Sequence, residues 1–366
     1  MKNQKSKQKP KTINCSENIA LIGDLHIGVS KDNPWLEECI YNSLKYFTDY
    51  CKSNGIDTII QAGDWFDNRK AISHRTMEFN REKIVPLFDG LTVYIPVGNH
   101  DLHFKNQILP NSPTELLSNY DNFKVINEPT TFKFNSYSFD LIPWICQENE
   151  QQIFDFIKNS DSDFCVGHFE LNGFYYYRGL KSHGLETNFL EKYKYVYSGH
   201  FHTISSNSNV LYLGTPYTIT SGDANDQRGI WIFNTKRYSD VQHHSQFISN
   251  PETYHYKLFL SDSSKIELDD IAQYQNKSVV VMVQDYSDKK ELDKILTKFE
   301  EVCSSFKYQI TYEALESSEE IADNFEDTQK TMDLVKEEIY KLDEPEEQKE
   351  LLLTLFNQLY AEALHQ

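Results

Sequence analysis

From Asn18 to about Phe233, short apolar runs alternate with longer stretches whose apolar positions recur at helical spacing. Ala20-Leu21-Ile22, Thr58-Ile59-Ile60, Val93-Tyr94-Ile95, residues 139–142, Phe164-Cys165-Val166, Tyr195-Val196-Tyr197, residues 210–213 and residues 230–233 read as strands. Residues 34–52 and 74–87 read as helices. Alternation of this kind predicts an α/β domain of layered sheets flanked by helices over 18–234. The polar stretch 234–253 reads as a linker and places His243 and His244 in solvent. Residues 254–312 then form a small α+β capping module, with strands at 256–260, 278–283 and 306–311 and helices at 268–274 and 288–299. Beyond Glu313, Met332, Val335, Ile339 and Leu342 recur at 3-4-3 spacing. Pro345 interrupts the run, and Leu352, Leu355, Leu359 and Ala363 resume it. One apolar stripe on charged helices is a docking face, for the chain's own domain or for a partner. Residues 1–17 are expected to be a basic, disordered extension, and no internal repeat is found.

Charge changes this picture. The formal net charge is -19, which argues against a polyanionic partner at first sight. The segment 313–366 alone carries 16 acidic and 4 basic residues, so most of the excess sits in the tail. No basic stripe appears elsewhere. A polyanion would therefore be held by metal, by local Lys and Arg, or by a second subunit. No apolar run approaches the roughly 18 residues of a membrane span, and 1–11 lacks the apolar core of a signal peptide. Six scattered cysteines with no C-x-x-C pair read as reduced thiols of a cytosolic protein, mostly core filler.

The candidate chemistry lies where strands end. Gly23-Asp24-Leu25-His26, Gly63-Asp64, Gly98-Asn99-His100-Asp101, Gly167-His168 and Ser198-Gly199-His200-Phe201-His202 each put a ligand-type residue just after an apolar run. Sites of α/β sheets gather at the carboxyl ends of strands. An Asp and a His two apart can meet one cation from a strand end, and Asp64 can bridge two. Asn99 offers a neutral oxygen, and His168, His200 and His202 complete the shells. Mixed N/O ligation without thiolate suits Mn²⁺, Fe²⁺ or Zn²⁺ rather than Ca²⁺. Two such ions about 3.5 Å apart clamp the attacking and leaving oxygens of a phosphoryl displacement. The bland alternative is a set of Asp and Asn caps and core histidines.

In that order the motifs resemble the calcineurin-like metallophosphoesterases, whose pattern is D-x-H, G-D-x-x-D, G-N-H-D/E, G-H and G-H-x-H. The resemblance implies that Asp24, His26, Asp64 and His202 hold one metal, and Asp64, Asn99, His168 and His200 the other. It implies that His100 acts on the phosphate as a catalytic residue, that Asp101 orients His100, and that Asp67 stands behind the ligands. Asp67 as a solvated turn residue remains open. Protein phosphatases of this superfamily have G-N-H-E and an Arg directly after the second Asp of G-D-x-x-D; here Asp101 and Asn68 stand at those places. Four further stretches point instead to the SbcD-type DNA double-strand-break nucleases, in the branch of the T-even phage recombination endonuclease subunits. They are residues 63–71, Leu141-Ile142-Pro143-Trp144, residues 167–175 and Lys181-Ser182-His183-Gly184-Leu185. The lysine-rich start of the chain departs from that pattern.

This resemblance implies two divalent metal ions, Mn²⁺ foremost, and hydrolysis of DNA as a duplex 3′-to-5′ exonuclease and single-strand endonuclease. It implies an SbcC-type coiled-coil ATPase gripped by the C-terminal helices, a homodimer, no membrane, and the cytoplasm of a bacterium or a phage-infected host. His183 and Arg178 are weaker substrate-binding candidates. Tyr175-Tyr176-Tyr177 either stack bases or pack on the cap. The alternatives are a phosphoesterase of small molecules or proteins, and a non-catalytic scaffold of the same fold, which loss of a ligand would mark.

Overall fold

The computed structural model describes residues 10–177, 180–236, 244–284, 286–311 and positions 339, 348, 349, 352, 353 and 356. Arg178, His243 and nearly all of the acidic tail lie outside the described residues. The chain forms two compact units, Met1–His255 and Tyr256–Gln366.

In the first unit, successive residues of the strand Asn18–Ile22 serve different cores. Ile19 and Leu21 face one apolar cluster, Ala20 and Ile22 another. Such a strand is apolar at every position because both its faces are buried. It belongs to a six-stranded sheet in the order Ser245–Ser249, Gly229–Asn234, Asn18–Ile22, Thr58–Gln61, Thr92–Pro96, Phe123–Ile126. The second sheet has seven strands, in the order Lys11–Ile13, Thr130–Phe134, Tyr137–Ile142, Phe164–His168, Tyr195–Gly199, Val210–Tyr212, Ser205–Asn207. Ile19, Leu21 and Ile60 of one sheet pack with Phe139, Phe164 and Tyr197 of the other, filling the space between them. The helix Pro34–Ser53 covers the outer face of the first sheet through Leu36, Ile40, Leu44 and Phe47. The helix Glu150–Asn159 covers the outer face of the second through Ile153 and Ile157. The layers are helix, sheet, sheet, helix, as the alternation predicts.

Four expectations need correction. Lys11–Ile13 is not disordered: it pairs in parallel with Thr130–Phe134, and Ile13 packs on the core between the sheets. The stretch after Asn234 is not only linker, since Ser245–Ser249 pairs antiparallel with Gly229–Asn234. His244 is buried rather than solvent-exposed. Its ring lies 4.5 Å from Phe233 and stacks on Phe164, and its Nε2 is 3.1 Å from the Asn234 carbonyl. Finally, 74–87 is not one regular helix. It runs α over His74–Phe79, π over Asn80–Ile84 and 3₁₀ over Val85–Phe88. Pro86 lacks the N–H an α-helix needs there and its ring would clash with the carbonyl four residues back.

The second unit has a three-stranded sheet, His255–Leu260, Ser278–Gln284 and Ser305–Thr311. The last two strands are parallel, joined by the helix Lys289–Val302. Val279, Val281 and Val283 alternate inward onto Leu292, Ile295 and Phe299, giving the unit a core of its own. All six cysteines are free, and no described helix is long and apolar enough to cross a membrane.

Candidate metal centre

Parallel neighbours bring their carboxyl ends to one edge, and there the expected residues meet. Asp24 follows Asn18–Ile22, Asp64 follows Thr58–Gln61, and Asn99 follows Thr92–Pro96. His168 ends Phe164–His168, and His200 follows Tyr195–Gly199. The turns are tight. His26, Asp64 and His200 have φ of 49°, 54° and 92°, a region that side chains other than glycine adopt at a cost of roughly 1–2 kcal/mol. Gly98 and Gly199 let the turns approach. A Cβ at Gly98 would stand 2.2 Å from Asp64 Oδ1, and one at Gly199 2.4 Å from Asp24 Oδ1.

Three groups of ligand-type atoms result among the described residues, Asp24 with His26 and His202, Asp64 with His168 and His200, and His26 with Asp67 and His100; the first two hold the expected ligands. In the second, His168 Nδ1 lies 2.8 Å from the Ala62 carbonyl, which can only accept, so Nδ1 carries the proton. Its Nε2 then faces Asn99 Oδ1 at 2.9 Å and Asp64 Oδ2 at 3.1 Å. His200 Nδ1 faces the same Asn99 oxygen at 3.1 Å. In the first group, His26 Nε2 and His202 Nε2 are 3.0 Å apart, with carboxylate oxygens of Asp24 and Asp64 each 3.9 Å from His26 Nε2. With these nitrogens unprotonated their lone pairs converge and repel unless a cation, a proton or a metal ion, joins them. The donor set of imidazole nitrogens, carboxylates and one amide oxygen therefore fits divalent metal.

The electrostatics agree. Burial alone would lower His168, but Asp64 and Asp24 push it up to about 9. Burial likewise opposes His26, which Asp67, then Asp64 and Asp24, raise to about 9. Asp64 would be raised by burial, yet the imidazoles of His168, His100 and His26 hold it well below the usual carboxylate range. In the absence of metal, protons are the cations this cluster attracts.

Asp67 and His100 flank the centre. Asp67 Oδ1 is 3.1 Å from His26 Nδ1, and its backbone carbonyl is 2.6 Å from His100 Nδ1. His100 N donates to Asp64 Oδ1 at 2.8 Å. Burial holds the His100 ring below its ordinary range. Among the described residues no hydrogen bond joins Asp101 to that ring, contrary to expectation. The Asp101 carboxylate accepts from the backbone N–H groups of Gly98 (2.9 Å), Asp64 (3.0 Å), Trp65 (3.0 Å) and Phe66 (3.2 Å), tying two ligand turns together. His183 is exposed and joins none of these groups; Arg178 lies outside the described residues.

Sequence reasoning missed Arg228. It is buried, donates to the His202 carbonyl and to Thr215 Oγ1 at 2.7 Å, and pairs with Asp223 at 3.0 Å. Nothing in its sequence neighbourhood marks a loop 26 residues away. Glu170 and Trp144, which fall inside the longer motifs 167–175 and 141–144, both border His200.

The family model for calcineurin-like phosphoesterases matches residues 17–203, a range that holds every residue of all three groups. The chain is 45% identical over 349 residues to exonuclease subunit 1 of Enterobacteria phage T4, covering 94% of this chain and 99% of that protein. It is 22% identical over 313 residues to the DNA double-strand break repair protein Mre11 of Nanoarchaeum equitans (strain Kin4-M), covering 76% of this chain and 79% of that one.

Proposed function

Because the chain belongs to the calcineurin-like phosphoesterase family, we propose that it is the nuclease subunit of a DNA-processing complex, a Mn²⁺-dependent phosphodiesterase that shortens duplexes from 3′ ends and cuts single strands. The observation that carries this is the convergence of Asn99 Oδ1 and Asp64 Oδ2 on His168 Nε2, at 2.9 and 3.1 Å, beside the facing nitrogens of His26 and His202. The names of both relatives, an exonuclease subunit and a DNA-repair protein, support DNA as substrate.

In this reading Asp24, His26, Asp64 and His202 hold one metal, and Asp64, Asn99, His168 and His200 the other. The two ions would supply Lewis-acid catalysis at the phosphodiester. Asp67 steadies His26 through its carboxylate and His100 through its carbonyl. His100 is assigned to the phosphate, although its ring also lies near His26 and Asp67. With Nδ1 committed to the Asp67 carbonyl, only Nε2 remains to exchange a proton with the leaving oxygen. Its lowered proton affinity makes the protonated ring a readier donor. The word subunit in the phage relative's name supports a partner. We assign that partner as an SbcC-type ATPase docked on the C-terminal helices, with a homodimer of this chain.

The test is an end-labelled duplex and a labelled single strand incubated with Mn²⁺ or Mg²⁺, comparing wild type with His100→Ala, alone and with an SbcC-type partner. Stepwise shortening that His100→Ala slows by about 10²-fold, with metal retained, is expected. A preference for p-nitrophenyl phosphate over its bis ester, with DNA left intact, would make the chain a phosphomonoesterase instead.

A further inference from the structure

We propose that Arg228 is a positioning residue of the metal centre, one that fixes the backbone of His202 and so sets the affinity of one of the two ions. This rests on the reading of His202 as a metal ligand. Several ligand turns brace one another. His26 N donates to the Asp64 carbonyl at 3.1 Å, Asp64 N to the Asp101 carboxylate at 3.0 Å, and His200 N to Asp24 Oδ2 at 2.9 Å. The His202 carbonyl, by contrast, is held from downstream. It accepts from Thr215 N at 3.0 Å and from Arg228 Nη1. Arg228 lies beyond residues 17–203, the range the family model matches, so one ligand depends on a part of the chain outside it.

The arginine is anchored at both ends. It is buried, stands directly before the strand Gly229–Asn234, and its carbonyl accepts from Asn250 N at 2.7 Å. Its Nη1 also donates to Thr215 Oγ1 at 2.7 Å, while Nη2 faces Asp223 at 3.0 Å and Asp226 at 3.4 Å. Asp223 is fixed in turn, since its other oxygen accepts from the N–H groups of Ile219 and Thr220 at 2.8 and 2.9 Å. A buried guanidinium is tolerated only when paired and hydrogen-bonded. Its planar fork reaches carboxylate and carbonyl at once. The carboxylates balance its charge, so what it delivers to His202 is direction. The loop there is close-packed: a Cβ at Gly214 would stand 3.0 Å from the same carbonyl. His202 Nε2 lies 3.0 Å from His26 Nε2, and a shift of the loop carries that nitrogen away from its companion ligand.

The experiment is a double-mutant cycle in the full chain, with wild type, Arg228→Met, His202→Ala and the pair. Mn²⁺ binding is followed by calorimetry. Electron paramagnetic resonance distinguishes two neighbouring, coupled ions from a lone one. Wild type should bind two ions. Arg228→Met should weaken one of them by about 10- to 100-fold, leave the other within about twofold, and give the lone-ion signal at limiting metal. In the His202→Ala background the same substitution should cost nothing further, because its effect runs through His202. Arg228→Lys keeps a charge beside Asp223 but lacks the fork. It should weaken the same ion, and it replaces Arg228→Met in the cycle if that variant does not fold. A wild type that binds no Mn²⁺ would overturn the metal reading itself. Two ions in wild type, with both weakened alike, neither weakened, or a full further loss in the His202→Ala background, would overturn the role of Arg228 and leave the metal centre standing.

Discussion

Asp64 is where the two groups of imidazoles meet. Its Oδ2 lies 3.1 Å from His168 Nε2 and 3.9 Å from His26 Nε2, while Oδ1 accepts from the His100 backbone. A single buried negative charge thus faces both proposed metals. Asp64→Asn removes that charge but keeps the shape, and is expected to lose at least one of two Mn²⁺ per chain. Elemental analysis returning both ions would dismiss the bridging role. The proposed ligands are legible in the sequence because each is named by a motif of a few residues that ends a strand. What supports them was not. Arg228 reaches His202 across 26 residues, and Asp101 serves backbone N–H groups as far back as position 64, so no local window contains the relation.

The elements show the same division. Strands buried on both faces, such as Phe164–His168, are continuous apolar runs and read directly. Phe123–Ile126 and Ser245–Ser249 bury only some positions and expose others, so their composition reads as loop. Between elements, the Asp101 carboxylate joins the turn after Thr58–Gln61 to that after Thr92–Pro96. Asp101→Ala would leave four backbone donors without their acceptor, each worth roughly 1–3 kcal/mol when buried. Urea unfolding should show a loss of about 3 kcal/mol or more, with metal affinity falling alongside; unchanged stability would mean the turns hold without it. At the start of the strand His255–Leu260, His255 is buried beside Trp35, its Nδ1 2.9 Å from Thr218 Oγ1. Burial lowers its pKa to about 4. The native state thus resists a proton that the unfolded chain takes up near 6.5. The His255 contribution is complete above about pH 6.5, declines as pH falls to about 4, and levels off below. It amounts to about 3 kcal/mol. Stability measured from pH 7 to 4 should fall less in His255→Gln than in wild type; parallel profiles would assign the pH dependence to other groups.

For the molecule as a whole, charge poses the sharper question. A phosphodiesterase for DNA must bring a polyanion to a chain of net charge -19, of which the segment 313–366 holds 16 acidic and 4 basic residues. Every proposed ligand lies between Asp24 and His202, so the tail supplies none of the chemistry. Its charge still acts at a distance. At about 50 mM salt the screening length exceeds 10 Å and like charges repel an approaching duplex, while at several hundred millimolar they scarcely do. Deleting 313–366 should therefore leave hydrolysis of bis-p-nitrophenyl phosphate with Mn²⁺ within about twofold. The same deletion should tighten duplex binding several-fold at low salt, converging with the full chain as salt rises. Loss of SbcC-type ATPase binding on deletion would follow from the proposed docking. Should the truncated chain bind DNA more weakly at low salt, the tail would be a DNA-holding element, and the argument from charge would be wrong. The two results ask different things of the partner. Repulsion that the deletion relieves must be offset by basic surface on the proposed ATPase partner, whereas attraction lost with the tail would make this chain sufficient to hold its own substrate.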